Sequence, residues 1–221
     1  MDWTSEVSRI TEEILSRLDH VNSTREHALA EARQLTRLCA NAVQAIHRRE
    51  FALADDLLAR ARVIKDQLTA DLARYPSLYW SGYVQDAHKE FAEASVARAI
   101  IGGGSLPGPD TLGVDDAVYL NALGEAAGEL RRYVLDTIRQ GDLIQAEAML
   151  LVMDEIYRVL VLFNYPDAIT YSLRRTTDMV RGVVERTRGD VTLAVEHRKL
   201  SDALARMREL LVDRPRPFSE R

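Results

Sequence analysis

The sequence is poor in cysteine and lysine and contains no long apolar run. A single cysteine, Cys39, excludes an internal disulfide. Lysine occurs at only three positions, so arginine supplies almost all of the positive charge. No apolar stretch reaches the roughly 20 residues that a membrane span requires, and the N-terminus has neither the basic nor the apolar region of a secretion signal. We therefore expect a cytoplasmic protein without a membrane partner.

The balance of charge is mildly acidic. The formal net charge is −5 and the pI is about 5.6. The chain therefore lacks the overall basic excess that would indicate nucleic-acid binding. Any RNA or DNA would have to bind a local patch. Hydrophobic residues make up 47% of the chain and charged residues 29%, a composition that allows a packed core and excludes low-complexity disorder.

Apolar residues recur at helical spacing along almost the whole chain, and no window alternates for long enough to indicate a strand. The pattern predicts an all-α, seven-helix bundle that forms one domain over residues 1–221, with a disordered tail over about 212–221. Breaks are expected at "VNSTRE" (21–26) and "RGD" (188–190). The predicted helices cover about 4–19, 24–49, 51–75, 76–101, 115–140, 142–163 and 167–188, followed by an amphipathic segment over 191–211.

The Gly/Pro-rich stretch at 102–113 is best interpreted as a connector. It contains no Gly-Lys-Ser/Thr, and no predicted strand precedes it, so a phosphate-binding loop is not indicated. The helix predicted over 142–163 is apolar around most of its circumference, which predicts burial on several sides. Long helices with more than one apolar stripe need partners beyond their own chain, and self-association is therefore expected.

Two pairs of glutamates stand at helical spacing. Glu90 and Glu93 are three residues apart and Glu125 and Glu129 are four apart, so each pair shares one helix face. Small residues flank both pairs and would allow the helices to approach closely. Glutamates presented into such a contact are costly unless a cation neutralises them. A hard divalent ion such as Mg²⁺ or Mn²⁺ could do so and could support phosphodiester hydrolysis. Two solvated charged faces remain the alternative.

Other enzyme templates are not matched. No histidine has a glutamate three positions before it, so the ferritin-like di-iron motif is absent, and no Gly-x-Ser-x-Gly is present. The histidines are interpreted as surface or helix-end residues. Arg33 and Arg37 share a helix face and are candidate nucleic-acid contacts, with an ordinary solvated face as the alternative.

Several phrases occur in an order that is similar to a known family. They are "ARYPSLYW" at 73–80, "KEFAEA" at 89–94, "VDDAVYLNALGEAAGELRRYVLDTIRQGD" at 114–142 and "NYPDAITYSLRRTTDMVRGVVERT" at 164–187. With them the chain resembles the translin family over about residues 23–190. Within that family it looks most like translin-associated factor X (TRAX) and its prokaryotic relatives.

The resemblance implies a closed, hollow homo-oligomer, typically a homo-octamer, with a Mg²⁺-dependent endoribonuclease site (Mn²⁺ is the alternative metal). It implies RNA as the partner, single-stranded or short duplex, with single-stranded DNA as a further candidate. The family's catalytic and metal-binding acids fall on Glu90, Glu93, Glu125 and Glu129, where Glu125 replaces the aspartate of TRAX. Arg33 and Arg132 are carried over as nucleic-acid contacts beside Arg37. The alternative function is a non-catalytic, translin-type nucleic-acid-binding oligomer.

Overall fold

A computed structural model describes residues 2–212, and this part of the chain is helical with no strand, as the periodicity predicts. It forms six long helices and three of a single turn. Their bounds are α1 Trp3–His47, α2 Phe51–Asp71, α3 Pro76–Tyr79, α4 Gly82–Gly102, α5 Pro109–Leu112, α6 Asp116–Arg139, α7 Leu143–Leu160, α8 Asp167–Thr170 and α9 Leu173–Val212. From residue 213 onward the predicted tail lies outside the described residues.

The number of helices differs from the prediction because α1 and α9 each run through a predicted break. Thr24 belongs to the predicted break at 21–26, but it lies inside α1, where its hydroxyl donates to the His20 carbonyl at 2.9 Å. Gly189 lies inside α9 in the same way. A polar residue costs a helix about 0.5 kcal/mol and a glycine about 1 kcal/mol, too little to end a helix that has neighbours on both sides of the position. Both predicted breaks are therefore wrong.

The three one-turn helices were not predicted. Ser81 takes an extended conformation and separates α3 from α4, so the helix expected over 76–101 is split. The connector between α4 and α6 contains α5 and is anchored by Lys65, whose ammonium donates to the carbonyls of Leu112 and Gly113 at 3.0 Å each. Gly113 has a φ of +65°, and a Cβ there would lie 2.6 Å from the Lys65 nitrogen, so this turn requires glycine.

The long helices pack in three layers. α4 and α6 lie against each other in the middle, with α1 and α2 on the α4 side and α7 and α9 on the α6 side. The core between the layers is made of aliphatic side chains and many alanines, together with Phe91. Side chains that face the α4–α6 contact are therefore partly shielded from water by both outer layers.

Several apolar side chains are exposed in the single chain. The prediction that the helix over 142–163 is buried on several sides is wrong for one chain, because Ile144 and Leu151 of α7 are 84% and 69% exposed. The first half of α1 likewise presents a stripe of exposed apolar residues: Trp3, Val7, Ile10, Ile14, Leu15 and Leu18. Within residues 2–212, no helix combines the length and the apolar character that a membrane span requires.

A candidate metal centre between α4 and α6

Three of the four predicted acids come together where α4 packs on α6. Glu90 and Glu93 project from α4 and Glu125 from α6, and one carboxylate oxygen of each lies within 4.8 Å of the others. All three side chains are partly buried. The three-residue spacing on α4 thus brings both carboxylates to the α6 side. We call Glu90, Glu93 and Glu125 the acidic cluster.

Burial makes negative charge costly in the acidic cluster. It raises the pKa of Glu93 to about 8, and the neighbouring carboxylates of Glu90, Glu125 and Glu129 add to the rise. The pKa of Glu90 is also raised, first by burial and then by Glu125. Glu90 and Glu93 further add to the effect of burial on the Cys39 thiol, whose pKa rises to about 12. A bound cation would relieve this electrostatic cost.

Lys89 supplies the cluster with one positive charge. Its ammonium donates to a carboxylate oxygen of Glu125 at 2.8 Å and lies 3.7 Å from Asp86. One ammonium does not balance three carboxylates, and the raised pKa values of Glu90 and Glu93 persist in its presence. The cluster therefore retains negative charge that a further cation could compensate.

Glu129, the fourth predicted acid, lies beside the cluster and points to a different partner. Its carboxylate is 2.5 Å from Nε2 of His47, the last residue of α1. This hydrogen bond lowers the pKa of Glu129, and the charge of Arg132 contributes. His47 was predicted only as a helix-end or surface residue. Its side chain is 5% exposed, and because 82 positions separate it from Glu129, no local pattern predicts the pairing.

His88 contradicts the prediction that the histidines lie at the surface or at helix ends. It is fully buried within α4 and packs edge-on against Tyr79. Burial, followed by the charge of Lys65, lowers its pKa to about 4. His88 is therefore neutral at pH 7 and belongs to the core.

The small residues expected to bring α4 and α6 together act in two different ways. The alanines of α4 that flank Glu93 are buried, as predicted. Gly124, in contrast, approaches α9, because a Cβ at this position would lie 2.4 Å from the Thr176 methyl group. A Cβ at Gly128 would have no atom of the described residues within 4 Å beyond its own helix backbone and chain neighbours.

The predicted basic residues flank the acidic cluster. Arg33 and Arg37 are exposed on α1 and line a groove whose other wall includes Asp86 and Glu90 of α4. Arg132 is exposed on α6, one turn beyond Glu129. Within the part of the chain whose side chains are described, none of these three arginines forms an ion pair. Their charges are therefore available to a ligand.

The donor set of the cluster fits a hard divalent cation. Carboxylate oxygens are the preferred ligands of Mg²⁺ and Mn²⁺. The raised pKa of Glu93, about 8, indicates that three ionised carboxylates at this spacing lack sufficient compensating charge. Both features would suit a bound divalent cation.

Comparisons with known proteins place the chain in a family. No family model matches the sequence. AfC3PO, solved alone and in complex with duplex RNA, is a translin-family protein that is 32% identical to this chain; it superposes with a TM-score of 0.78, over 85% of this chain and 97% or more of its own. The chain belongs to the translin family.

Two further proteins resemble this translin-family chain. An uncharacterized protein of Methanocaldococcus jannaschii is 28% identical over 197 residues, which is 88% of this chain and 86% of that protein. Apo-NeC3PO is 18% identical and has a TM-score of 0.76, with 83% of this chain and 96% of its own chain covered. The likeness to NeC3PO shows a common fold.

Proposed function

We propose that the chain is a Mg²⁺- or Mn²⁺-dependent endoribonuclease of the TRAX type, which acts on short or structured RNA inside a homo-oligomeric cage. The observation that carries the proposal is the acidic cluster, in which Glu90, Glu93 and Glu125 share a partly buried site. The similar protein AfC3PO has been solved in complex with duplex RNA, which supports RNA as the ligand.

The four acids and His47 have three different roles in this proposal. Glu90, Glu93 and Glu125 would hold the cation, which when bound neutralises charge at the phosphate and makes water a better nucleophile. Glu129 is kept ionised by His47 and can accept a hydrogen bond from the attacking water, because the pKa of its carboxyl is lowered. His47 fixes the orientation of Glu129.

The arginines would bind the RNA backbone. Arg33 and Arg37 stand at the rim of the groove that Glu90 also lines, so a strand held by them would pass the acidic cluster. Arg132 is exposed on α6, one turn beyond Glu129. Guanidinium groups pair with phosphate through two hydrogen bonds, and this local arrangement provides the basic patch that the overall net charge of −5 does not.

Self-association is supported by the exposed apolar residues of α1 and α7. Contiguous apolar surface on a chain of this kind marks an interaction site. A cage of identical subunits would bury the stripe that contains Val7 and Ile14 together with the outer face of α7. The number of eight subunits is carried by the family resemblance.

A non-catalytic, translin-type binder of RNA or single-stranded DNA is the second candidate. The ion pair between Lys89 and Glu125 favours it, because an ammonium already compensates one of the proposed metal ligands. Glu125, which stands where TRAX has aspartate, also has a longer side chain than the family pattern. In this alternative the arginines bind nucleic acid and the acids serve the structure.

Cleavage of a short labelled single-stranded RNA, with Mg²⁺ and with EDTA, tests the proposal. The wild type is compared with Glu125→Gln plus Glu129→Gln and with a control, Glu31→Gln, which changes a carboxylate outside the cluster. We expect metal-dependent cleavage that the double variant loses while it keeps its oligomer size and RNA affinity. RNA binding without cleavage in the wild type would instead favour the non-catalytic binder.

A further inference from the structure

A second groove, of about 540 Å³, lies on the other side of Glu125. It is formed by the start of α4, by α6 and by the turn that joins α8 to α9. Glu125 belongs both to its lining and to the acidic cluster, so the two sites are continuous. We call it the aromatic groove, after two of its lining residues, Trp80 and Tyr171.

The aromatic groove exposes two large rings. Trp80 is 49% exposed and Tyr171 is 45% exposed. The indole of Trp80 is held edge-on against Tyr79, with ring centroids 4.9 Å apart. Exposed aromatic rings beside charged groups are typical of surfaces that bind a planar ligand.

The backbone under Tyr171 is strained and held in place. Tyr171 and Ser172 have φ values of 48° and 64°, two consecutive non-glycine residues in the left-handed region. Such conformations cost on the order of 1–3 kcal/mol each and persist where the surroundings enforce them. Here Asn121 enforces them, because its amide donates to the Thr170 carbonyl at 2.9 Å and accepts from the Thr176 hydroxyl at 2.7 Å. The backbone of the turn at Tyr171 is therefore held by α6.

The lining of the groove also includes a buried glutamine and an exposed arginine, Gln85 and Arg175. Gln85 is 7% exposed, and its amide donates to the Tyr79 carbonyl, but its Oε1 has no hydrogen-bond partner within the described residues. A buried acceptor without a partner is costly. Arg175 is exposed at the rim and forms no ion pair in the described part of the chain. The remaining charged residues of the lining are Asp86, Lys89 and Glu125.

We propose that the aromatic groove holds one unpaired nucleobase of the RNA strand, stacked on Trp80 or Tyr171, while an adjacent phosphate reaches the acidic cluster. This inference rests on the RNA binding proposed above. The rings provide stacking, and Arg175 can pair with a backbone phosphate. A volume of about 540 Å³ suits a small ligand and is too small for a duplex. The substrate would accordingly present an unpaired nucleotide next to the cleaved bond.

Tryptophan fluorescence gives a direct reading of the groove, because the chain has two tryptophans and Trp3 lies in the first turn of α1. Trp3→Phe leaves Trp80 as the single reporter. Glu93→Gln is added to keep the RNA uncut in Mg²⁺, and Glu93 does not line the groove. We expect a short single-stranded RNA to quench Trp80. The same RNA with an abasic nucleotide in the stacked position should quench it less and bind more weakly.

Variants of the two rings complete the test and are read by anisotropy of labelled RNA. Trp80→Ala plus Tyr171→Asn removes both rings, and asparagine tolerates the left-handed backbone. We expect roughly a tenfold to hundredfold loss of affinity, and no further loss when the abasic RNA is used. Trp80→Phe should retain most of the affinity. Tyr165→Ala, which removes an exposed ring outside the groove, should change nothing.

The outcomes separate this inference from the proposed nuclease. Unchanged affinity in the double ring variant, or equal weakening of intact and abasic RNA by it, would overturn the stacking site and leave the nuclease unaffected. Normal ring-dependent binding with no cleavage by the unmodified wild type would overturn the nuclease and support the stacking site. An absence of RNA binding by the wild type would overturn both.

Discussion

The described part of the chain brings together two sets of three potential metal ligands, and they differ in their surroundings. His27 and Glu31 of α1 meet Asp71 of α2, where the His27 side chain is 63% exposed. The acidic cluster lies instead in the middle layer, where burial and neighbouring carboxylates raise the pKa of Glu93 to about 8. Burial also raises the pKa of Glu31, but the charge of His27 lowers this pKa and so opposes the rise.

The difference shows that proximity alone does not define a cation site. In the first set a histidine and the solvent can compensate the carboxylates, whereas the second has one ammonium for three acids. Desolvation makes uncompensated charge costly, and a bound divalent ion would compensate the charge of the carboxylates. The experiments below use the His27 set as the matched control for the acidic cluster.

The largest effect is expected from neutralising Glu93. Glu93→Gln should reduce metal-dependent RNA cleavage by at least about a hundredfold, because it removes a proposed metal ligand, while mutations of residues one shell further out typically cost 10–100-fold. Glu31→Gln should leave the rate within about twofold of the wild type. Initial rates at saturating Mg²⁺ measure both. Equal losses in the two variants would remove the distinction between the two sets.

A smaller loss is expected from His47, which contacts Glu129 and not the cluster itself. His47→Asn should lower the cleavage rate by about 10–100-fold, and His27→Asn should not change it. Because the hydrogen bond from His47 holds the pKa of Glu129 down, the variant should also need a higher pH to reach its maximal rate. A pH–rate profile identical to that of the wild type would argue against a positioning role.

The arginines should affect binding more than catalysis. Arg33→Gln plus Arg37→Gln should weaken RNA binding severalfold at moderate salt. The slope of log affinity against log salt should fall by about 1 to 2, because two phosphate contacts are lost. Arg60→Gln, which changes an exposed arginine that pairs with Asp56, is the control. A salt slope that the double variant shares with the wild type would contradict a role for Arg33 and Arg37 in phosphate binding.

The smallest effect concerns the stability of the metal-free protein. The pKa of Glu93 is raised from 4.5 to about 8 in the folded chain, so the folded state holds a proton that the unfolded state releases. The free energy of unfolding should therefore fall as pH rises from about 5 to 8. Glu93→Gln should remove much of this fall and raise Tm by several degrees at pH 8, with little change at pH 5.

Thermal melts in EDTA measure this pH dependence, and Mg²⁺ should narrow the gap between wild type and variant at pH 8 by stabilising the wild type. Glu31→Gln should reduce this pH dependence less than Glu93→Gln, because the charge of His27 opposes the rise in the pKa of Glu31. A wild-type melting temperature that rises between pH 5 and pH 8 in EDTA would contradict the predicted fall in stability.

The sequence was sufficient for the helical class and for the acidic pairs, since both depend on local spacing. Glu90 and Glu93 had to share a face once α4 was helical. Their meeting with Glu125 was expected from the small residues around them and from the family resemblance, but Gly124 faces α9. Local patterns predict which face a residue occupies, but not which neighbour it meets.

Contacts between distant segments were missed for the same reason. His47 meets Glu129 across 82 positions, and Asn121 holds the Tyr171 turn through residues about 50 positions away. The breaks predicted in α1 and α9 failed in a different way, because weak helix propensity at a few positions is overridden by the helix on either side. The exposed face of α7 was predicted as buried because an apolar face carries no information about whether its partner is in the same chain.

Equilibrium binding of Mn²⁺ at pH 8, followed by the electron paramagnetic resonance signal of the free ion, tests the central claim most directly. The acidic cluster should bind Mn²⁺ in the wild type and in Glu31→Gln, and Glu93→Gln should lose that binding while it keeps its fold. Absence of Mn²⁺ binding in the wild type, or binding that Glu93→Gln retains and Glu31→Gln loses, would contradict the assignment of Glu90, Glu93 and Glu125 as the metal centre.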